Sequence, residues 1–395
     1  VKTGPVAALL GLLLLVLTAC SGSSEAGERG GEGETPAGAE SVDIAIAPGD
    51  GATDVATSGA LEVTAEHGTL TEVTVTDAEG AAVPGELSED GTSWRPGEHL
   101  ANGTDYTVTA TGENAGGEEQ TRSAAFTTTA ADATFTSNWN IADGATVGAG
   151  MVLSMTFDTP IEDMAAVRDA VRISAEPHVD VRGHWFGNQR LDFRPEEYWA
   201  AGTEVTVSFR VRGVEGAPGV YGTLYEDVTF TVGRSQVTTV DAAAMTMEVV
   251  RDGESLRTIP VTTGAPGTPT WNGKMVITEK HEETRMDGST VGFGGEYDIP
   301  DVPHAMRLST SGTFIHGNYW ASGSTFGSEN VSHGCVGLQD TQGANDSSTP
   351  GSWFYENSMI GDVVEVINSD DDVIAPDNGI NGWNMAWAEW GAGQE

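Results

Sequence analysis

Apolar and polar residues alternate with a period of two along much of the chain, and Gly, Asp and Pro interrupt the alternation every few residues. That pattern predicts short strands joined by tight turns. Two adjoining segments depart from it. Residues 6–16 are apolar throughout, and residues 21–40 contain almost no apolar side chain. Beyond them, Tyr106–Thr111 and Val205–Arg210 are alternating runs that each follow a related stretch: Ser93-Trp94-Arg95-Pro96 through Gly103-Thr104 is echoed by Asp192-Phe193-Arg194-Pro195 through Gly202-Thr203. Asp50-Gly51-Ala52-Thr53 likewise matches Asp143-Gly144-Ala145-Thr146, and Phe126-Thr127 matches Phe230-Thr231. A repeat of about 100 residues is too long for a solenoid and suits two tandem immunoglobulin-like β-sandwiches. We place them at residues 41–130 and 131–234.

From Ser235 the pattern is new. Alternation over Gln236–Val250, a turn at Asp252-Gly253 and a run over Ser255–Thr262 predict a hairpin opening another sheet. Strand-like runs recur at Lys274–Glu279, Ala305–Ser309, Thr313–Gly317 and Asp362–Asn368, with a short helix near Ser352–Asn357. Trp383, Trp387 and Trp390 fall at i, i+4 and i+7, the spacing of one helix face, which reads as an aromatic surface docked on a neighbouring domain. The fold class is mainly β. Two sandwiches precede a β-rich third domain at 235–370, and 371–395 form a short helical C-terminal subdomain.

Charge narrows the partners. With 18 Lys and Arg against 59 Asp and Glu, the net charge is −41, which excludes nucleic acid as a partner because its phosphates require cationic patches. The start of the chain reads as a secretory signal: one Lys, an apolar stretch too short to span a membrane comfortably, then small residues. Leu17-Thr18-Ala19-Cys20 resembles a bacterial lipobox, whose cysteine is lipidated as the first mature residue; the alternative is an ordinary signal peptide cut nearby. Residues 1–20 are then a leader and 21–40 a flexible tether. The expected location is extracytoplasmic, lipid-anchored to the outer face of the cell membrane and facing the cell wall.

If Cys20 carries lipid, Cys335 is the only thiol left in an exported chain. Such a cysteine is either a small buried hydrophobe or a retained nucleophile. His333 lies two residues before it and His316 nineteen before it. An imidazole can take the proton of a thiol whose ordinary pKa leaves it mostly protonated, while Gly334 and Gly337 allow tight turns that aim N–H groups at a developing oxyanion. Residues alone leave two other readings open: a packing cysteine with incidental histidines, and a three-ligand metal site from His316, His333 and Cys335. His67, His99, His178 and His184 are scattered without ligand spacing, so the sandwiches read as spacers.

Ile315-His316-Gly317 followed by Ser332-His333-Gly334-Cys335 resembles the signature of the L,D-transpeptidases with a YkuD-type catalytic domain. The likeness is strongest to the actinobacterial lipoprotein type with two immunoglobulin-like domains. It extends through Met286–Thr290, Trp320, Trp353-Phe354-Tyr355, Gly361–Val366 and Gly382–Trp387.

The resemblance implies that Cys335 attacks the carbonyl before the terminal D-Ala of a peptidoglycan tetrapeptide stem and forms a thioester. His316 acts as base, held by the carbonyl of Gly317, and the N–H groups of Gly334 and Cys335 stabilise the oxyanion. His333 and Ser332 shape the loop, and Tyr297, Met286 and Trp320 line the cleft and lid. The side-chain amine of a second stem then resolves the thioester into a 3→3 cross-link; water would give L,D-carboxypeptidase activity instead. No metal or organic cofactor is implied, and carbapenems are expected to acylate Cys335. The C-terminal tail is expected to bridge the catalytic and second sandwich domains.

The chain departs from the family at Gly337, where most members carry Asn, so a supporting amide is missing from that position. It departs again at Gly317, where many carry Ser, a change expected to be harmless because the backbone carbonyl does the orienting. A non-catalytic wall-binding spacer and a stem-peptide endopeptidase are the competing readings; His316 preceding Cys335 is the reverse of the common endopeptidase order.

Overall fold

The computed structural model describes residues 40–391. The leader, Cys20 and all of the tether but its last residue lie outside the described residues. The repeat recognised in the sequence maps onto equivalent places in two sandwiches. In the first, Asp43–Ala47, Glu62–Glu66, Ser93–Pro96 and Gly85–Leu87 form one sheet, and Ala52–Val55, Glu119–Thr128, Asp105–Asn114 and Gly68–Asp77 form the other. The second sandwich repeats the order with Ser137–Trp139, Leu153–Phe157, Arg190–Pro195 and Val181–Phe186 facing Ala145–Gly148, Tyr225–Arg234, Glu204–Arg210 and Val171–Glu176.

The shared Asp-Gly-Ala-Thr motif does the same work twice. Asp50 accepts a hydrogen bond from the Ala125 N–H at 2.9 Å, and Asp143 accepts one from the Thr229 N–H at 2.9 Å. Each carboxylate seats a parallel strand pairing that brings Ala52 opposite Phe126 and Ala145 opposite Phe230.

The third domain is a nine-stranded sheet. Its strands are β1 (Gln236–Asp241), β2 (Thr246–Arg251), β3 (Glu254–Thr262), β4 (Gly273–Val276), β5 (Glu279–Asp287), β6 (Asp298–Arg307), β7 (Phe314–Asn318), β8 (Val336–Gln339) and β9 (Val363–Ile367), in the spatial order β4-β9-β1-β2-β3-β8-β7-β6-β5. The alternating run over 236–250 is two strands rather than one. A turn interrupts it, with Met245 in the left-handed region at φ +56° and the Asp241 carboxylate accepting from the Ala244 N–H. One helix, α1 (Pro350–Glu356), is capped by the Thr349 hydroxyl on the Ser352 N–H and packs its buried Phe354 beneath the sheet.

The C-terminal segment is not a helix through its tryptophans. Its helical part is a single 3-10 turn, Gly382–Asn384, and the rest is irregular. The tryptophans converge by folding back rather than by helical pitch. Trp383 Nε1 donates to Gly150 O at 2.7 Å, Trp390 Nε1 donates to Arg182 O at 2.8 Å, and the Arg194 guanidinium lies over all three rings. On the other side, Asn384 brackets Lys274 of β4 through its N–H and its carbonyl. The tail therefore bridges the second sandwich and the third domain. A backbone seam reinforces the bridge: the Gly148 N–H donates to Ile360 O and the Gly150 N–H to Gly361 O, both at 2.8 Å. A Cβ at Gly148 would sit 2.4 Å from the Asp362 nitrogen, so only glycine permits this approach.

Candidate active site

β7 and β8 are parallel neighbours, with Ile315 opposite Val336, His316 opposite Gly337 and Asn318 opposite Gln339. Side chains two apart share a face, so Ile315, Val336 and Leu338 turn into the buried core while His316 and Asn318 turn the other way. Cys335, one residue before β8, falls on the His316 side. Both line a cavity of about 320 Å³ together with Met286, Tyr297, Trp320, Ser332 and His333. The strands thus gather the histidine, the cysteine and the three predicted cleft residues around one space.

His316 is 5% exposed, and its Nδ1 lies 2.8 Å from Gly317 O. A carbonyl only accepts, so Nδ1 carries the proton and Nε2 is left as the basic nitrogen. Trp320 stacks on the ring at 5.7 Å with a 21° interplanar angle. Burial pushes the imidazole pKa down, against smaller upward pulls from the Gly317 carbonyl and the Asp340 carboxylate. Burial also pushes the Cys335 thiol up to about 11, partly offset by the Phe314 backbone amide. Both shifts favour the neutral thiol and neutral imidazole over a thiolate–imidazolium pair. Consistent with that, Cys335 Sγ donates to Gly312 O at 3.7 Å, and no hydrogen bond joins it to His316 in this conformation.

The loop before the cysteine is held by Ser332. Its N–H donates to Thr263 O at 3.0 Å, its carbonyl accepts from the Ala265 N–H at 2.8 Å, and its hydroxyl donates to Cys335 O at 2.6 Å. Gly334 adopts φ +106°, a conformation that disfavours any side chain, and its N–H donates to Ser332 Oγ at 3.2 Å. Of the two expected oxyanion donors, the Gly334 N–H is thus engaged, whereas the Cys335 N–H has no protein partner among the described residues. His333 is engaged by the β5–β6 connection. Its Nε2 is 3.1 Å from Glu296 Oε2, and its ring meets Phe293 at 5.3 Å and Tyr297 at 5.0 Å. It thereby fastens the β5–β6 connection, a 3-10 turn (Gly288–Val291) with glycine bends, over the cavity. The three-ligand metal arrangement of His316, His333 and Cys335 is not formed.

Sequence comparison agrees with this geometry. Residues 52–215 match the bacterial Ig domain family, and residues 235–366 match the L,D-transpeptidase catalytic domain family. L,D-transpeptidase 2 of Mycobacterium tuberculosis is 33% identical over 350 residues, covering 87% of this chain and 83% of the relative. L,D-transpeptidase 5 of the same species is 30% identical over 354 residues, covering 88% and 76%. The chain belongs to the L,D-transpeptidase family. Among solved structures, an L,D-transpeptidase in complex with imipenem aligns with a TM-score of 0.48 at 29% identity, over 58% of this chain and 97% of that one.

Within this transpeptidase, the glycine after the base is dictated by what lies behind it. The Asp340 side chain is fully buried and accepts from Thr341 N–H at 2.8 Å, Thr349 Oγ1 at 2.8 Å and His304 Nδ1 at 2.7 Å. A Cβ at Gly317 would lie 2.2 Å from Asp340 Oδ2, and one at Gly351 would lie 2.1 Å from the same atom. Serine at 317 would therefore press on this carboxylate. The Gly317 carbonyl meets His316 Nδ1, as the expectation for this departure requires, and the missing side chain makes room for a buried carboxylate. Neither Asp340 nor His304 was marked by motif spacing; each reaches the site through sheet register. Asn318 was also missed, although a period-two reading onward from His316 would have found it.

Proposed function

We propose that this transpeptidase forms 3→3 cross-links in peptidoglycan through a thioester on Cys335. The observation that carries the reading is the fixed tautomer of His316, whose Nδ1–H is spent on Gly317 O and whose Nε2 opens on the same cavity as the thiol. When a tetrapeptide stem enters, a rotation about the Cys335 Cα–Cβ bond exchanges the Gly312 carbonyl for His316 Nε2. Nε2 takes the thiol proton as Sγ bonds to the carbonyl carbon preceding the terminal D-Ala. The Cys335 N–H supports the oxyanion. Collapse breaks the C–N bond, the imidazolium returns its proton to the departing D-Ala amine, and a thioester remains. A side-chain amine on the third residue of a second stem then gives a proton to Nε2 and attacks, and the thiol leaves with that proton. A neutral starting pair suits this sequence, because no stable ion pair must be broken before attack.

The same chemistry supports carbapenem acylation of Cys335, a class represented by the imipenem-bound relative. We place the enzyme outside the cytoplasmic membrane, held by a lipid on Cys20 with residues 21–40 as tether. Incubation of the purified chain with disaccharide-tetrapeptide, read by mass spectrometry, tests the assignment. Loss of D-Ala with a cross-linked dimer is expected; loss of D-Ala alone would make the enzyme a carboxypeptidase, and cleavage inside the stem would make it an endopeptidase.

A further inference from the structure

Asn318 stands two residues beyond His316 on β7, on the same face, and lines the same cavity. It is 4% exposed. Its Oδ1 accepts from the Ala321 N–H at 2.9 Å, which fixes the amide plane and leaves Nδ2 as the free end. Among the described residues Nδ2 has no protein partner. Nδ2 is not sealed in the interior but meets the cavity, where an acceptor on a ligand can take its hydrogen bond.

Gly337 lies opposite His316 on β8, close to this amide. A Cβ there would lie 3.4 Å from Asn318 Nδ2 and 2.9 Å from Thr262 Cγ2. Gly337 offers no amide on β8, but Asn318 places one on the neighbouring strand, two residues beyond His316. Nδ2 can only donate, so its partner must be an acceptor. The buried Asp340 carboxylate behind β7 disfavours an anion at this place and leaves a neutral carbonyl as the better fit.

We propose that Asn318 is a substrate-binding residue whose Nδ2–H donates to a peptide carbonyl oxygen of the donor stem while its acyl carbon lies at Cys335. The proposal rests on the thioester function given above.

The test compares wild type, Asn318→Ala, Asn318→Asp and Asn318→Ala/Gly337→Asn by steady-state dimer formation and thermal melting. Asn318→Asp keeps the acceptor for the Ala321 N–H and replaces the donor with a carboxylate oxygen, while Asn318→Ala removes the amide without adding charge. Both single variants are expected to lose about tenfold or more in kcat/KM with melting within a few degrees of wild type. The double variant, which returns an amide to the same volume from β8, is expected to recover most of the loss. Single variants as active as an active wild type would overturn this assignment alone. So would a loss in Asn318→Ala that tracks a large fall in melting temperature and is not recovered in the double variant, since that is packing. An inactive wild type would count against the thioester function and this assignment together.

Discussion

At the residue scale, the chemistry depends on one imidazole whose two nitrogens have separate tasks. Nδ1 is committed to Gly317 O, which leaves Nε2 for the proposed proton transfer from the thiol. Because burial holds the His316 pKa below 6.5, the acid limb of kcat/KM is expected below that value, where the base becomes protonated. The thiol at about 11 is expected to leave the rate flat through mildly alkaline pH. A rate that instead climbs tenfold per pH unit from 7 to 9 would mean that the free thiolate is the reacting species. The same depressed histidine sets a stability trend: the unfolded chain takes up this proton first, so its contribution falls as pH drops through 6.5. Gly317→Ala is expected to cost about 1–3 kcal/mol, because the added carbon meets Asp340 Oδ2 in a packed site; chemical denaturation measures it. Cys335→Ala is expected to abolish turnover with little change in melting. The motif around Cys335 and His316 was legible because short spacing and residue type declare it. Asn318, His304 and Asp340 were not, because cross-strand register joins them to the site and their neighbours in sequence say nothing of it.

At the scale of elements, a short parallel pair does the positioning. β8 has only four residues, yet it is central in the sheet, so the cysteine preceding it emerges from a rigid support. Behind the pair, the carboxylate of Asp340 ties β6 through His304 and the start of α1 through Thr349. Asp340→Ala is expected to destabilise the domain by about 3–5 kcal/mol, since it strips a buried network of its centre; an urea midpoint unchanged from wild type would contradict that role. Alternation identified the strands, but not where they stop. The run over 236–250 concealed a turn because its bend uses a left-handed Met245 rather than glycine or proline. The tryptophan spacing at 383, 387 and 390 imitated a helix because three rings around one guanidinium, that of Arg194, satisfy the same interval.

At the scale of the whole molecule, the repeat of about 100 residues exposed the two sandwiches, each seated by an equivalent aspartate. What sequence did not disclose is how firmly the second sandwich is joined to the catalytic sheet. That join is made by backbone groups of Gly148 and Gly150, which carry no pattern, and by Trp383, whose indole is buried against Gly150. Trp383→Ala is expected to cost about 3–5 kcal/mol and to loosen the join, read as faster proteolytic separation of the two domains. Residues 1–39 bear on location, and there the expectation is that Cys20→Ala moves the protein from the membrane fraction to the soluble one.

In the proposed reaction the Cys335 sulfur becomes the acyl carrier by giving its proton to His316 Nε2. Intact-protein mass spectrometry after brief exposure to disaccharide-tetrapeptide, with rapid acid quenching, tests it most directly. An adduct of the stem minus D-Ala is expected on Cys335, absent in Cys335→Ala and formed at least about a hundredfold more slowly in His316→Ala. An adduct that forms at an undiminished rate without His316, or that lies on another residue, would contradict it.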